Sequence, residues 1–323
     1  MTSSTPARPI NRPTPNPYVG LAPITALITG ATGFIGQAVV RDLLDAGHEV
    51  IVLTRDPARA SRQFQGRTQA VRDLDELADT VKVDVVVNLA GAPVVGPRWS
   101  DARKQVLLNS RVGTTQHVMA WLARTQHKPR VWVQGSAVGA YGVRPAHEVL
   151  DETSAPGVGF MAELCLKWEA AAEGAVAMGV RQVVLRLGLV FGKGGALPMM
   201  LLPYRFALGA RLGDGTQMMS WIHHADVLGL IAQAVRDDTM QGMYNAVAPD
   251  TVSQAAFAAQ AARAMQRPLW LRLPAAPLRL LAGEMGQLFL DGQRVIPARL
   301  LQARFPFQYP MLTPVLAAES QRR

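Results

Sequence analysis

The chain has 323 residues, 49% of them hydrophobic, which is enough to bury a substantial core and excludes a chain disordered as a whole. Its formal net charge of +9 is peripheral, because residues 1–23 carry two arginines and no acid and residues 263–323 carry nine arginines against three acids. These arginines alternate with apolar residues, and no zinc-finger spacing or RNA-binding aromatic signature occurs, so we expect no nucleic-acid partner.

Residues 1–23 are rich in proline and lack the apolar core of a signal peptide, so they are predicted to form a disordered Pro-rich tail. No uncharged apolar run is long enough to predict a membrane span. The single cysteine, Cys165, lies among apolar residues and has no partner for an internal disulfide. We therefore expect a soluble, cytoplasmic protein.

From Ile24 onward, short β-branched runs alternate with longer segments that have a helical spacing of apolar residues; the runs are ITALIT, EVIVLT, VDVVVNLA, RVWVQG and QVVLRL. This alternation predicts an α/β fold, with a Rossmann-type doubly wound parallel sheet between helices. After about residue 190, glycine and proline become frequent, so we expect a smaller, mainly helical C-terminal lobe on the substrate side. The predicted division is a dinucleotide-binding domain over 24–190, with returning segments from 220–250, and a lobe over 191–323.

A glycine-rich loop follows the first predicted strand and opens a helix. In such a loop glycine permits a tight turn and a close approach of the backbone to a pyrophosphate, and the helix N-terminus donates amides to the anion. A glycine turn with only a structural role is the alternative. The candidate cofactor-binding residues here are Gly30, Thr32, Gly33, Phe34, Ile35 and Gly36.

The second predicted strand ends with Leu53-Thr54-Arg55, where an enzyme selecting NAD would usually place an acid. A guanidinium at Arg55 can pair with a 2′-phosphate, so the predicted cofactor is NADP (NADPH). In the alternative, Arg55 faces solvent and Asp56 binds the ribose. Small residues at the end of the strand over VDVVVNLA leave room for a cofactor, which adds Asn88, Ala90 and Gly91 to the candidates; plain tight packing is the alternative.

These segments together resemble the extended, or atypical, short-chain dehydrogenase/reductase superfamily: TGATGFIG, NLAG, a serine followed by YG, VVLRLGLVFG and GDGTQMMSWIHHAD. Within it, the chain is similar to the NAD(P)-dependent epimerase-like family that carries a short characteristic C-terminal domain, here at about 270–315. The similar segments are 98–115, 160–172, 197–226 and 281–307, and the resemblance covers nearly everything from Ile24 to Pro310. It implies a cofactor and an architecture more firmly than a reaction.

The resemblance implies a catalytic Tyr-x-x-x-Lys on the helix after the strand over RVWVQG, where the lysine lowers the tyrosine pKa and holds the nicotinamide ribose. At these positions we place Phe160 and Leu164, which cannot move a proton. Two catalytic candidates remain. Ser136 is expected to polarise a substrate carbonyl, and Tyr141 to act as the acid, unless it is a packing tyrosine or a nearby water supplies the proton.

Other polar residues near this region have two interpretations each. Lys167 and Glu163 could replace the missing pair, but a solvated i, i+4 pair is the simpler alternative. His223 resembles a residue that supports the fold, with Asp226 capping the next helix. Arg186 is expected to be an internal charge partner, or less simply a ligand for a substrate carboxylate. No spacing of His or Cys predicts a metal site.

The segment GDGTQMMSW has Met219 where relatives acting on nucleotide sugars commonly carry an arginine that contacts the diphosphate. This difference argues against a sugar nucleotide. The favoured function is therefore an NADP-dependent oxidoreductase that transfers hydride to a small, mostly apolar carbonyl substrate. The alternatives are a regulatory or scaffold protein that binds NADP(H) without turnover and, third, an epimerase.

Overall fold

The computed structural model describes residues 15–320. Its strands are β1 (Thr25–Thr29), β2 (Glu49–Leu53), β3 (Gln69–Val71), β4 (Val85–Asn88), β5 (Val131–Ala137), β6 (Val149–Leu150), β7 (Arg181–Leu187), β8 (Leu189–Phe191), β9 (Ala210–Leu212), β10 (Met218–Met219), β11 (Trp221–His223), β12 (Gly242–Ala246), β13 (Val252–Ser253), β14 (Leu271–Leu273) and β15 (Arg294–Val295). Its α-helices are α1 (Gly36–Asp45), α2 (Pro57–Gln63), α3 (Asp101–Leu108), α4 (Thr114–Arg124), α5 (Phe160–Ala177), α6 (Ala196–Arg205), α7 (His224–Arg236), α8 (Gln254–Ala264), α9 (Ala275–Ala282), α10 (Gln287–Leu290), α11 (Ala298–Gln302) and α12 (Leu312–Ser320).

Seven parallel strands form the central sheet in the order β12-β7-β5-β4-β1-β2-β3. The five β-branched runs of the sequence become β1, β2, β4, β5 and β7, and the predicted Rossmann-type fold is confirmed. Two strands of this sheet, β3 and β12, have no counterpart among those runs. The first is three residues long at the sheet edge, and the second, GMYNA, lacks β-branched residues.

Helices cover both faces of this sheet, so its central strands are apolar on both sides. On one face, Ile28 packs with α1 and α7 through residues such as Val39 and Ile231. On the other face, Trp132 packs with α4 and α5. Because side chains alternate along a strand, Val131 and Val133 of β5 join the first core and Trp132 the second.

The N-terminal tail predicted over residues 1–23 is too long. Tyr18 is fully buried against the first core, and His48 Nε2 lies 3.2 Å from its backbone oxygen. Arg236 also donates to the backbone oxygens of Pro17 and Val19, at 2.7 Å each. A buried aromatic ring therefore fixes this segment to the body, although its prolines exclude regular pairing; residues 1–14 lie outside the described part of the chain.

The second half of the chain builds a separate apolar cluster in which Leu201 of α6, Phe257 of α8 and Leu316 of α12 surround Trp221. Its C-terminal part is tied to α7 by Asp226, which is fully buried and accepts hydrogen bonds from the amides of Gln308 (2.6 Å) and Tyr309 (3.1 Å). Within residues 15–320, no helix is both long and apolar enough to cross a membrane.

Candidate functional site

The strand order reverses at β1, which has β2 and β3 on one side and β4, β5 and β7 on the other. At such a point the loops after neighbouring strands separate and leave a crevice at the carboxyl edge of the sheet, where open α/β sheets bind ligands. The glycine-rich loop joins β1 to α1 at this point, so the loop predicted to bind a cofactor lies at the crevice.

Gly30 and Gly36 are required by the backbone of this loop. Gly30 has a φ of +68°, and a Cβ there would lie 2.6 Å from the backbone oxygen of Leu89. A Cβ on Gly36 would lie 2.3 Å from the oxygen of Gly30. Gly33 differs, since it is exposed and a Cβ there would meet only that same oxygen, at 3.1 Å. Its open side is the place where a ligand can approach the backbone.

Helix α1 begins next to Gly33 without a side-chain cap, and Ile35 occupies the cap position. The amides of Gln37 and Ala38 already donate to the backbone oxygens of Gly33 and Ile35, so the donors that this start offers an anion are the amides of residues 34–36. The side chains of Phe34 and Ile35 do not face the crevice as ligand groups: Phe34 stacks on His224 with ring centroids 4.2 Å apart, and Ile35 packs on the core. Thr32 is half-buried in the loop.

Arg55 and Arg59 are exposed beyond β2 and form no ion pair with any residue in 15–320. Between them, Asp56 caps α2 by accepting a hydrogen bond from the Arg59 amide at 2.9 Å, so its carboxylate is already engaged. This geometry favours the interpretation with a 2′-phosphate near Arg55 over the one with Asp56 on the ribose.

Asn88 is not placed as a cofactor ligand. Its side chain is fully buried and accepts from Thr29 Oγ1 (2.6 Å) while donating to Thr115 Oγ1 (2.7 Å) and Gln134 Oε1 (2.9 Å). These three hydrogen bonds link β4 to β1, α4 and β5, so the side chain holds neighbouring elements together. Ala90 donates its amide to Thr29 Oγ1 at 3.0 Å, and Gly91 lies exposed at the crevice.

Arg111 is a residue of this site that the sequence interpretation missed. It lies in a π-helical turn between α3 and α4, and a Cβ on Gly91 would stand 2.8 Å from its Cζ. Its guanidinium stacks on Trp168 at 5.2 Å and donates to the Leu107 oxygen at 3.3 Å, but pairs with no acid in the described chain. Burial lowers the pKa of this guanidinium. The sequence does contain one feature that could have identified Arg111: no acidic residue lies three or four positions away on either side to pair with it along a helix.

Ser136 is buried under α5 and does not face the crevice as a free hydroxyl. It donates to Glu169 Oε1 at 2.5 Å, and Arg186 binds the same carboxylate through two hydrogen bonds of 2.8 Å. The period of two along β5 explains this placement, since Ser136 lies on the same face as Trp132. The expectation that Ser136 polarises a carbonyl is thus not supported by its geometry, whereas Arg186 is an internal charge partner as expected.

Tyr141 is fully buried, and its hydroxyl donates to Asn245 Oδ1 at 2.8 Å. The Arg186 guanidinium lies 4.8 Å from the ring centre. Burial raises the pKa of Tyr141, and the nearby guanidinium only partly offsets that effect. A buried phenol whose proton is already donated is a packing tyrosine, so the geometry favours that alternative over an acid.

The side chains of α5 that lie against the end of β5 are also one residue further along the chain than Phe160 and Leu164, the pair assigned from the sequence. Phe160 packs edge-on against Trp99 at 5.2 Å, and Leu164 is buried in the same cluster. Met161 and Cys165 instead approach Gly139, at 3.4 Å and 3.6 Å from where its Cβ would stand. Burial, aided by the charge of Glu169, raises the pKa of the Cys165 thiol to about 12, so neither position supplies a base.

The remaining candidates also have structural partners. Lys167 lies 4.0 Å from Glu163 on an exposed face of α5. His223 caps α7 by accepting from the Ala225 amide at 3.2 Å, a role that the sequence had assigned to Asp226. In the described residues, no group of three or more His, Cys, Asp or Glu side chains is arranged to hold a metal ion.

The fold and the crevice together define a Rossmann-type dinucleotide-binding protein. Residues 26–268 match the model of the NAD dependent epimerase/dehydratase family, and residues 273–319 match a domain of unknown function, DUF1731. The chain belongs to the NAD dependent epimerase/dehydratase family, as the resemblance predicted.

Three relatives show how far this similarity extends. The epimerase family protein YfhF of Bacillus subtilis is 35% identical over 87% of this chain and 93% of its own length. Mouse SDR39U1, another epimerase family protein, is 34% identical over 90% and 97%. The crystal structure of human SDR39U1 with NADPH matches with a TM-score of 0.82 and 32% identity, over 93% of this chain and all of that one.

Proposed function

We propose that this protein is an NADPH-dependent oxidoreductase that transfers hydride to a small, mostly apolar carbonyl compound. The observation that carries the proposal is the charge arrangement beyond β2. Arg55 and Arg59 are exposed and unpaired by any described acid, while the carboxylate of Asp56 is used by the α2 cap. A 2′-phosphate therefore meets positive charge, and no free acid repels it.

The rest of the crevice fits the same cofactor. Gly33 leaves the loop backbone open, α1 presents uncapped amides for a pyrophosphate, and Arg111 adds a cation beside Gly91. The human relative solved with NADPH supports this assignment. When bound, NADPH supplies a hydride from the nicotinamide ring.

In this proposal the two residues expected to be catalytic have positioning roles. Ser136 and Tyr141 hold the end of β5 and the turn after it through Glu169 and Asn245. Since neither hydroxyl is free, water entering the crevice delivers the proton. Arg111, which lies beside Gly91 and has no acid partner in the described chain, is in this proposal the group that stabilises negative charge in the crevice.

A second function, NADP(H) binding without turnover, is favoured by one specific observation, the internal engagement of both hydroxyls. An epimerase remains the third candidate, supported by the family alone. We further propose a cytoplasmic protein without nucleic-acid or membrane partners, in keeping with its single, buried and unpaired cysteine.

Two measurements test the proposal. Fluorescence titration should show NADPH binding more tightly than NADH, and Arg55→Ala should remove ~1.5 to 3 kcal/mol of that preference. Equal affinities for both cofactors in the wild type would contradict the NADP assignment. Single-turnover oxidation of NADPH is then followed with a panel of apolar aldehydes and ketones. Tight binding with no turnover on any of them would favour the non-catalytic function.

A further inference from the structure

An exposed apolar surface runs along α6 and continues to the start of β14; we call it the α6 surface. Met199, Leu202 and Phe206 recur at the spacing of one helical face, and these residues are 70%, 50% and 68% exposed. The opposite face of α6 packs in the apolar cluster around Trp221. A helix that is apolar on all sides is normally covered on all sides, so we expect a partner on the exposed face of α6.

The segment before β14 extends the α6 surface with a second aromatic side chain. β9 and β14 are parallel and in register from their first residues. The segments that precede these two strands therefore lie side by side, about 4.8 Å apart. They carry the exposed side chains of Leu208, Leu269 and Trp270, the last of which is 67% exposed. Phe206, two residues before Leu208, thus belongs to the same surface as Trp270.

The charges around the α6 surface all have one sign. Residues 196–212 and 254–273, which contain α6, β9, α8 and β14, include five arginines and no lysine, aspartate or glutamate. Two of the arginines donate to backbone oxygens of the turn after β9. The side chains of the other three, Arg205, Arg263 and Arg267, are exposed and form no ion pair or hydrogen bond within residues 15–320. These three guanidiniums can therefore pair with acidic groups of a partner.

The composition of the α6 surface fits a protein partner. Phe, Trp, Met and Arg are enriched in protein–protein interfaces, whereas Lys, Asp and Glu are depleted, and the α6 surface follows both trends. A second copy of the chain would bring arginines close to arginines about a symmetry axis, and the net charge of +9 adds to that repulsion. The charge therefore favours a different protein that carries acidic groups.

We propose that the α6 surface binds an acidic amphipathic helix of a partner protein. A helix is the matching element because the exposed residues of α6 follow a helical spacing, and the ridges of one helix pack into the grooves of another. Apolar side chains of the partner helix cover Phe206 and Trp270, and carboxylates on its flanks pair with the three arginines. This interaction is independent of the proposed function, since the α6 surface shares no residue with the candidate cofactor site.

The probe for this interaction is a synthetic peptide of about 20 residues, with leucine and phenylalanine on one helical face and glutamate and glutamine elsewhere. The fluorescein-labelled peptide is titrated with the full chain and followed by anisotropy at low and high salt. We expect a Kd of ~1 to 50 µM at low salt, and binding should weaken several-fold at high salt. A scrambled peptide of the same composition should bind at least about tenfold more weakly, because it presents no continuous apolar face.

Two double variants separate the apolar contribution from the charged one. Phe206→Ser/Trp270→Ser should weaken peptide binding at least about 30-fold, because buried aromatic side chains carry much of the binding energy of such interfaces. Arg205→Gln/Arg267→Gln should weaken binding about three- to tenfold and reduce its dependence on salt.

The matched control is Val158→Ser/Val176→Ser, which removes two exposed apolar side chains from the loop before α5 and from α5 itself. This variant should bind the peptide like the wild type. The melting temperature and NADPH affinity of each variant are measured in parallel, and we expect both to stay close to the wild-type values. Equal binding of the designed and scrambled peptides, or unchanged binding in the folded Phe206→Ser/Trp270→Ser variant, would overturn the proposal.

Two further measurements identify other occupants of the α6 surface. A dimer detected by analytical ultracentrifugation, and dissociated by Phe206→Ser/Trp270→Ser, would show an interface between copies of this chain. Vesicles of phosphatidylglycerol that bind the wild type but not this variant, without any binding of the peptide, would show a lipid-binding surface. Either result would replace the acidic helix as the partner and so overturn the proposal.

Discussion

The two halves of the crevice differ in where their polar groups are directed. Beside β1 and β2, α1 starts without a cap and Arg55 has no acid partner in the described chain. Beside β5 and β7, Ser136 and Tyr141 donate inward, to Glu169 and Asn245. The first half has unused hydrogen-bonding capacity, whereas the second has satisfied its own. Residue type alone did not distinguish a group that meets a ligand from a group that holds the fold.

The largest effect is expected on NADPH binding, from a substitution in the half beside β1 and β2. Gly33→Val places a branched side chain where the cofactor pyrophosphate approaches the loop backbone, so NADPH binding should weaken by at least ~1,000-fold, or ~4 kcal/mol. The protein should still fold, because a Cβ there meets one backbone oxygen at 3.1 Å and is otherwise open. Gly36→Val is the comparison, since its Cβ overlaps Gly30 at 2.3 Å and should lower both stability and affinity. Full NADPH affinity in Gly33→Val would refute the loop assignment.

In the half beside β5 and β7, where the polar groups are already hydrogen-bonded, substitutions should lower the free energy of unfolding. Glu169→Gln leaves the buried guanidinium of Arg186 without its charge partner and should cost ~3 to 5 kcal/mol in the free energy of unfolding, measured with urea. Glu163→Gln on the exposed face of the same helix should change it by no more than ~0.5 kcal/mol. A stable Glu169→Gln protein that binds NADPH but has lost turnover would make Glu169 part of the chemistry instead.

Asp226 extends the comparison to the C-terminal segment. Burial raises the pKa of Asp226 to about 6 in the folded protein, so the folded state holds this proton more tightly than the unfolded chain. Its contribution therefore raises the free energy of unfolding as pH falls from about 7 to about 4, by at most ~3 kcal/mol. Urea denaturation at several pH values should show that Asp226→Asn lacks this gain. Parallel pH profiles for variant and wild type would contradict the assignment.

A substitution at Arg111 tests whether this residue binds the cofactor or only supports the fold. Because Arg111 is proposed to face the cofactor beside Gly91, Arg111→Met should weaken NADPH binding by ~10- to 100-fold, and Arg111→Lys should recover part of the loss. Arg263→Met, on the exposed side of α8, serves as the control for an arginine outside the crevice. Fluorescence titration of the three variants would show Arg111 to be only structural if NADPH affinity stays constant while the melting temperature falls.

The smallest effects are expected for the two hydroxyls themselves. Ser136→Ala and Tyr141→Phe each remove one internal hydrogen bond, which should cost ~1 to 2 kcal/mol of stability and change NADPH affinity little. Any turnover that these variants show with the panel of apolar aldehydes and ketones should remain within about threefold of the wild-type rate. A fall of ~100-fold or more in either variant would restore that residue as catalytic.

The sequence predicted those parts of the fold and site that depend on local chemistry. The five β-branched runs and the loop around Gly30 follow from periodicity and from a positive φ, which neighbouring residues determine. The orientations of Ser136 and Tyr141 depend on partners 33 and 104 residues away, so no local pattern contained them. Arg111 was missed for a related reason, because its place beside Gly91 depends on a departure from regular helix geometry.

That departure is the π-helical turn over Asn109–Gly113, between α3 and α4. Residues on both sides have helical dihedral angles, so the three pieces form one uninterrupted rod from Asp101 to Arg124. Each residue rotates an α-helix by about 100°, so the extra residue in the π-helical turn rotates the side chains of α4 about the axis relative to those of α3. Leu107, before the turn, packs in the cluster around Trp99, and Trp121, after it, packs in the core against the sheet. Deleting one residue from the turn would make the helix regular, and either Leu107 or Trp121 would then rotate away from the cluster in which it packs.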